Sequence, residues 1–161
     1  MLNAEIFIFD LDGTTINSNH RVGGGSLPSW FKNNTLENIF KDVPMYLSQF
    51  IGILDNLKFK VLICTSRTLS KADYEYLYTK LYVPVDLKII SREEGDKRQP
   101  EVFKKWELSY LANFKQFKDR EKILIDDNPD VRRAFRELGE NCKAWDIYSA
   151  TERLNKIFGL V

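Results

Sequence analysis

The sequence of 161 residues contains few of the side chains that form disulfides or bind soft metals. It has two cysteines, Cys64 and Cys142, and a single histidine, His20. Two cysteines are too few for a disulfide framework, and no C-x-x-C or Cys/His cluster indicates zinc or a redox pair. The sequence therefore excludes a disulfide-stapled secreted domain and favours a reducing, cytoplasmic location.

Long apolar runs and an excess of one charge are also missing. No run approaches the roughly 20 apolar residues that span a bilayer, and the first residues lack the basic region of a secretion signal. The 24 basic and 23 acidic side chains give a formal net charge of +1, so any contact with nucleic acid should be local. We expect one soluble domain over residues 1–161 with no membrane partner, since a chain of this length can enclose its own core.

Short buried strands alternate with amphipathic helices along the chain. The predicted strands are Ile6 to Phe9, Val61 to Cys64, Leu87 to Ile90, Ile123 to Ile125 and, more weakly, Cys142 to Ile147. Apolar stripes predict helices that include Phe50 to Leu57, Tyr74 to Leu81 after a Ser70 N-cap, Phe103 to Phe117, Val131 to Leu138, and a last helix from Thr151. We interpret the aromatic stripe of the third helix as core. The alternation predicts an α/β fold, a three-layer Rossmann-like parallel sheet with helices on both faces.

Polar residues follow three of these strands directly. They are Asp10 and Asp12, then Thr65, Ser66 and Arg67, and finally Asp126 and Asp127. Ligands of open α/β sheets bind at the carboxyl ends of the strands, so these side chains should converge at one edge. A cluster of carboxylates is costly without a cation, and oxygen ligands with a substrate phosphate suit Mg²⁺ best. Taken alone, however, the Asp-Leu-Asp-Gly turn is equally compatible with a solvated turn. A calcium loop is disfavoured, because the residues after the turn lack the further acidic or amide ligands that such a loop needs.

Three motifs in chain order resemble those of the haloacid dehalogenase superfamily of phosphohydrolases. They are Phe-Asp-Leu-Asp-Gly-Thr at Phe9 to Thr14, Thr65 after an apolar strand, and Ile125-Asp126-Asp127. A closer similarity, over nearly the whole chain, is to the phosphatase domain of bacteriophage polynucleotide kinase/phosphatases. It includes Arg21, Thr65-Ser66-Arg67, Val83 to Leu87, Arg92 to Asp96, and Lys104 with Trp106. Residues 23–57 resemble that domain only weakly.

This resemblance implies catalytic roles for four residues. Asp10 would be the nucleophile that attacks phosphorus, and Asp12 would protonate the leaving alcohol and then activate water. Thr65 would hold a phosphoryl oxygen, and Lys104 would neutralise charge on the nucleophile and the transferring group. The resemblance also implies that Asp127 ligates Mg²⁺ beside the Asp10 carboxylate and the Asp12 main-chain carbonyl, with Asp126 as the second candidate.

Substrate contacts have simpler alternatives. The resemblance implies that Arg21, Ser66 and Arg67 contact the phosphate or the attached nucleotide. Arg67 could instead pair with a clustered aspartate and so lower the repulsion between carboxylates. Lys104 and the adjacent Lys105 could both be solvated helix charges, and the resemblance alone favours Lys104.

The function expected first is removal of 3′-phosphate from nucleic-acid ends, as in DNA or RNA repair, by a Mg²⁺-dependent phosphomonoesterase that forms an aspartyl-phosphate intermediate. The span before Thr65 leaves room for a helix but little or no cap domain, and an open site admits a bulky phosphorylated nucleic-acid end. A kinase or ligase partner is left open. The alternative is a 5′(3′)-nucleotidase or another small-molecule phosphatase, because Ile125 to Asp130 is also similar to deoxyribonucleotidases. The intact motifs argue against a catalytically silent binding module. One departure is Pro100, where the closer family has an acidic residue.

Overall fold

The computed structural model describes residues 6–21 and 35–160, with the side chain of Arg21 outside that description. In chain order the elements are β1 (Ile6–Phe9), β2 (Ile16–Asn17), α1 (Leu36–Ile39), β3 (Val43–Pro44), α2 (Gln49–Asn56), β4 (Lys60–Cys64), α3 (Lys71–Thr79), β5 (Lys88–Ile90), α4 (Pro100–Leu108), α5 (Tyr110–Asn113), β6 (Lys122–Ile125), α6 (Pro129–Arg136), β7 (Cys142–Trp145) and α7 (Ile147–Phe158). Single 3₁₀ turns lie at Asn19–Arg21 and Tyr46–Ser48. Within the described ranges no helix is both long and apolar enough to cross a membrane.

Five parallel strands form the central sheet in the order β5-β4-β1-β6-β7. The central strand, β1, pairs with β4 on one side and β6 on the other. Its four apolar residues are all buried, as expected of a parallel strand that is covered on both faces. Because the strands run in one direction, their carboxyl ends share one edge of the sheet. Asp10, Thr65 and Asp126 follow β1, β4 and β6 at that edge.

Alternate residues of β1 pack into two separate cores. Phe7 and Phe9 belong to the core under α2, α3 and α7. Ile6 and Ile8 belong to the core under α4, α5 and α6 on the opposite face. This arrangement follows from the two-residue repeat of side-chain direction in a strand. It confirms the predicted three-layer α/β fold.

The described residues between β1 and β4 form only short elements. The strands β2 and β3 pair antiparallel, with Ile16 opposite Pro44. The short helix α1 and the longer α2 complete this part of the chain. The glycine-containing stretch from Asn17 to Ser29 predicts a mobile loop. Asn17 ends β2 and residues 19–21 form a 3₁₀ turn, whereas residues 22–29 lie outside the described ranges. The described part agrees with the expectation of little or no cap domain.

Capping residues set the beginnings of the helices that flank the site. Ser70 caps α3 as predicted: its Oγ accepts a hydrogen bond from the Asp73 backbone, and the Asp73 carboxylate accepts one from the Ser70 backbone. Asn128 caps α6, where its Oδ1 accepts hydrogen bonds from the backbone of Asp130 and Val131. Pro129 follows at the first position of that helix, where its missing N–H leaves no donor unsatisfied.

Two helix predictions were wrong. The last helix begins at Ile147 rather than Thr151, because the side chain of Asp146 accepts the Ser149 N–H as its N-cap, and β7 ends at Trp145 instead of Ile147. The third helix does not continue through its aromatic stripe. It ends at Leu108, and Ser109 separates it from α5.

The aromatic residues of the predicted third helix differ in burial. Phe103 lies in the core, but the side chains of Trp106 and Phe114 are exposed. The expectation that the whole stripe is core was therefore wrong for those two residues. Leu57, the last residue of the first predicted stripe, is also exposed because it caps the end of α2.

Candidate active site

The site lies at the carboxyl ends of β1, β4 and β6. The Asp10 N–H donates to the Ile125 carbonyl at 3.0 Å, which continues the β1–β6 ladder by one residue. The Thr65 N–H donates to the Ile90 carbonyl at 2.9 Å in the same way. These extensions hold Asp10 and Thr65 on rigid strand ends rather than in free loops. The sheet thus brings together the residues that the motifs singled out.

The turn after Asp10 requires glycine at its third residue. Gly13 has φ of +80°, and a Cβ at this position would collide with the Asp127 carboxylate. Thr14 then bridges the two strand ends, because its hydroxyl donates to Asp10 Oδ2 at 2.9 Å and accepts the Asp127 N–H at 3.1 Å. The turn therefore fixes the Asp10 carboxylate relative to Asp127.

Lys104 is buried between two carboxylates of the site. Its Nζ donates to Asp10 Oδ1 at 2.7 Å and to Asp126 Oδ2 at 2.6 Å, and only 4% of its side chain is exposed. Burial alone would lower the pKa of Lys104, but the charges of Asp10 and Asp126 outweigh it and hold the pKa well above its usual value. Lys105 instead pairs with Glu137 at the surface. Of the two adjacent lysines, Lys104 is the one in the site.

Three carboxylates form a group that could hold a metal ion. One oxygen from each of Asp10, Asp126 and Asp127 lies within 4.8 Å of the other two. Burial raises the pKa of Asp10 to about 6, and loss of water together with the charge of Asp10 raises the pKa of Asp127 to about 6. Burial also raises the pKa of Asp126. The group therefore carries more negative charge than Lys104 alone offsets, which a divalent cation would correct.

Asp127 is better placed than Asp126 to ligate a metal. Asp126 uses one oxygen for Lys104 and accepts the Asn128 N–H at 2.9 Å with the other. The Asp127 side chain is exposed, and its Oδ1 lies 3.4 Å from the Thr14 hydroxyl, a longer contact than either of those that Asp126 makes. This difference supports the order of preference that the resemblance implied.

Thr65 and Ser66 present hydroxyls beside the end of β4. Thr65 Oγ1 accepts the Arg67 N–H at 3.0 Å, which leaves its own proton to donate. The Ser66 Oγ is buried and has no hydrogen-bond partner among the described residues. Arg92 stabilises this turn through two hydrogen bonds. Its side-chain Nε donates to the Ser66 carbonyl at 2.8 Å, and its backbone N–H donates to the Arg67 carbonyl at 3.1 Å.

Arg67 binds carboxylates in this structure. Its guanidinium forms a two-point contact with Asp12, from Nε to Oδ2 at 3.0 Å and from Nη2 to Oδ1. It also donates to Asp73 at 2.7 Å and lies 3.4 Å from Asp42. This geometry matches the simpler alternative, pairing with an aspartate of the site. The substrate-contact role of Arg67 stays a prediction, as does that of Arg21, whose side chain lies outside the described residues.

Sequence reasoning missed three residues of this network. Asp42 precedes β3 in the weakly similar segment, and no motif marks it. Asp73 is visible in the sequence only as the partner of the Ser70 cap. Ser18, which donates to Asp12 Oδ1 at 2.5 Å, likewise lies outside any motif.

The parallel sheet, the Asp10 turn and the carboxylate group with its buried lysine together have the fold and the arrangement of side chains that the resemblance to haloacid dehalogenase phosphohydrolases implies. A family model described as Bacteriophage T5 5'-deoxynucleotidase matches residues 2–155, and the chain belongs to this family. It is 30% identical over 164 residues to the 5'-deoxynucleotidase of Escherichia phage T5, an alignment that covers 84% of this chain and 65% of that protein. The chain thus spans less than two thirds of that relative's length.

Solved structures share the fold at lower identity. A chain of the Pnkp1/Rnl/Hen1 RNA repair complex aligns with a TM-score of 0.61 and 23% identity, covering 88% of this chain and 41% of that one. A chain of a second structure of the Pnkp1/Rnl/Hen1 complex aligns with a TM-score of 0.61 and 21% identity, and the alignment covers 89% of this chain and 46% of that one. A haloacid dehalogenase-like hydrolase from Streptococcus pneumoniae aligns with a TM-score of 0.56 and 16% identity, and the alignment covers 86% of this chain and 83% of that one. These similarities support the fold, including the small size of any cap.

Proposed function

We propose that this protein is a Mg²⁺-dependent nucleotidase that removes the phosphate from deoxynucleoside 5′-monophosphates. The observation that carries the proposal is the family match over residues 2–155, which spans every residue of the site described above. This match favours the nucleotidase alternative of the sequence analysis over the polynucleotide 3′-phosphatase. The fold is equally compatible with both substrates and does not choose between them.

Asp10 is the nucleophile in this proposal. A bond forms between one of its carboxylate oxygens and phosphorus while the bond from phosphorus to the nucleoside 5′-oxygen breaks. The buried ammonium of Lys104, 2.7 Å from Asp10, offsets negative charge as the phosphoryl group arrives. The Thr65 hydroxyl, whose oxygen is already bonded to the Arg67 N–H, donates its proton to a phosphoryl oxygen.

Asp12 moves the protons. As the acid, Asp12 enters the cycle protonated and gives that proton to the departing 5′-oxygen, so that the nucleoside leaves as a neutral alcohol. It then takes a proton from the water that attacks the phosphorus of the aspartyl phosphate, which releases inorganic phosphate and restores Asp10. About 31% of the Asp12 side chain is exposed, so it can reach both the leaving group and water.

The donor set fits Mg²⁺. It consists of carboxylate oxygens only, from Asp10 and Asp127, with Asp126 as the second candidate ligand. The resemblance adds the main-chain carbonyl of Asp12. When bound there, the ion would neutralise phosphoryl oxygens and reduce their repulsion with the nucleophile. A soft metal is disfavoured, because no cysteine or histidine belongs to the carboxylate group.

A substrate panel tests the proposal. The wild type is assayed with Mg²⁺ or excess chelator on four deoxynucleoside 5′-monophosphates, a deoxynucleoside 3′-monophosphate, a 3′-phosphorylated oligonucleotide and a 5′-phosphorylated oligonucleotide. We expect the highest kcat/KM on a 5′-monophosphate, no activity in chelator, and none in Asp10→Asn. The highest kcat/KM on the 3′-phosphorylated oligonucleotide would refute the nucleotidase and restore the 3′-end function. Full activity in Asp10→Asn would refute the covalent mechanism.

A further inference from the structure

Behind the proposed acid Asp12 lies a buried group of three charged side chains. Arg67, Asp42 and Asp73 have side chains that are at most 1% exposed. Arg67 Nη1 donates to Asp73 Oδ1 at 2.7 Å, and both terminal nitrogens of Arg67 face Asp42 Oδ2 at 3.4 and 3.5 Å. Burying two carboxylates around one guanidinium is costly unless the arrangement is closely fitted.

The guanidinium reaches from this buried group to Asp12. It uses its Nε edge for a two-point contact with both Asp12 oxygens, while its other edge faces Asp73 and Asp42. A planar guanidinium has fixed donor directions, so anchoring one edge sets the direction of the other. The position of the Asp12 carboxylate therefore depends on the groups that hold the other edge of Arg67, together with the Ser18 hydroxyl that donates to Asp12 Oδ1.

Asp73 and Asp42 each make further contacts besides those with Arg67. The Asp73 carboxylate also accepts the Ser70 N–H at 2.8 Å as part of the α3 cap. The Asp42 backbone carbonyl accepts the Tyr76 hydroxyl at 2.8 Å, which ties the residue to α3. The His20 Nε2 lies 3.4 Å from Asp42 Oδ1, the carboxylate oxygen that does not face Arg67. These contacts fix the Asp42 carboxylate against the guanidinium.

We propose that Asp42 is a positioning residue for the proposed acid Asp12, on which it acts through Arg67. The inference rests on the proposed function, since it needs Asp12 to protonate a leaving group. Asp42 does not touch substrate in this scheme. It keeps the Arg67 fork aimed at Asp12, so that Asp12 stays in line with the departing oxygen.

The test compares two leaving groups. Protonation matters for an alkyl phosphate such as a nucleotide and far less for p-nitrophenyl phosphate, whose aryl oxygen leaves readily without a proton. The parameter is kcat/KM, because it reports the steps up to departure of the leaving group and omits the shared hydrolysis of the aspartyl phosphate. The alkyl ester is whichever substrate of the panel the wild type hydrolyses best. Asp42→Asn removes the charge at nearly constant size.

We expect Asp42→Asn to lower kcat/KM about tenfold on the alkyl ester and less than about threefold on the aryl ester. General acid catalysis contributes roughly 10²–10⁴-fold to a rate, and an acid that is displaced loses part of that rate enhancement. Asp86→Asn is the matched control, because Asp86 is exposed in the turn before β5, and we expect no change on either ester. If Asp42→Asn unfolds, Arg67→Lys, which keeps the charge but loses the fork, must show the same selective loss.

The failures of the two proposals are distinguishable. A wild type that hydrolyses no phosphate monoester in Mg²⁺ refutes the proposed function. A wild type active on both esters, with equal losses or no loss in Asp42→Asn, refutes the positioning role and leaves the proposed function standing. An equal loss on both esters in Arg67→Lys, where that variant is needed, refutes it in the same way.

Discussion

Replacing Lys104 by methionine should destabilise the metal-free protein strongly. The ammonium lies 2.7 Å from Asp10 and 2.6 Å from Asp126, whose side chains are 7% and 1% exposed. Its removal leaves two buried carboxylates without a cation. Breaking a buried ion pair in this way costs about 3–5 kcal/mol. For a protein of this size that is a fall in Tm of roughly 6–20 °C.

The adjacent Lys105 offers a matched control. Lys105→Met removes a lysine from the same helix, but its partner Glu137 has a side chain that is 56% exposed. Solvent screens such a pair, so we expect a change in Tm of less than about 2 °C. The measurement is thermal unfolding at pH 7.5 in chelator and again in Mg²⁺.

Magnesium should recover part of the loss in Lys104→Met. A cation bound to the carboxylates replaces some of the missing positive charge and stabilises the folded state, by about 2.7 kcal/mol at a hundredfold excess over Kd. Hydrolysis should still fall by orders of magnitude, because the charge beside Asp10 is gone during phosphoryl transfer. Equal falls in Tm for Lys104→Met and Lys105→Met in chelator would refute this account of the site.

Three further predictions concern the carboxylate group. Because Asp10 and Asp127 have pKa values raised to about 6, the folded metal-free protein binds protons more tightly than the unfolded chain, so its stability should fall as pH rises from about 4 to 6. Mg²⁺ should accordingly raise Tm more at pH 7.5 than at pH 5, and equal shifts would contradict the assignment. Asp127→Asn should raise the Mg²⁺ concentration for half-maximal activity about tenfold, and an unchanged Mg²⁺ titration would exclude Asp127 as a ligand. Gly13→Ala should cost about 1–3 kcal/mol and most activity, whereas Gly139→Ala, where a Cβ meets nothing, should change neither; equal effects would count against the turn.

Much of the sheet could be predicted because its three inner strands, β1, β4 and β6, are buried on both faces. The central strand was predicted at the bounds it has, Ile6 to Phe9, since a run of apolar residues ends abruptly at Asp10. The location of the site could be predicted from the same strands, because residues that follow parallel strands lie at the same edge of the sheet. Asp126 and Asp127 could be located in this way from the end of their strand alone.

Other features depend on contacts between distant residues and leave no local signal. Asp42 is 25 positions from Arg67, and nothing in its neighbours distinguishes it from a solvated loop aspartate. The break at Ser109 was missed because the helical period of aromatic residues continues across it. The Ser109 hydroxyl donates to the Trp106 carbonyl at 2.7 Å, one of the local bonds by which serine competes with a helix.

Pro100 is the departure from the closer resemblance, and the structure gives a physical account of it. Pro100 is the first residue of α4, where proline is well tolerated, and Lys104 lies one turn further on. An ammonium has three donors, and Asp10 and Asp126 accept two of them. An acidic residue at position 100 could compete for the third. With proline there, Lys104 is held by Asp126, which directly follows β6, and needs no carboxylate from its own helix. In the proposed mechanism the third donor is then left for a phosphoryl oxygen of the substrate.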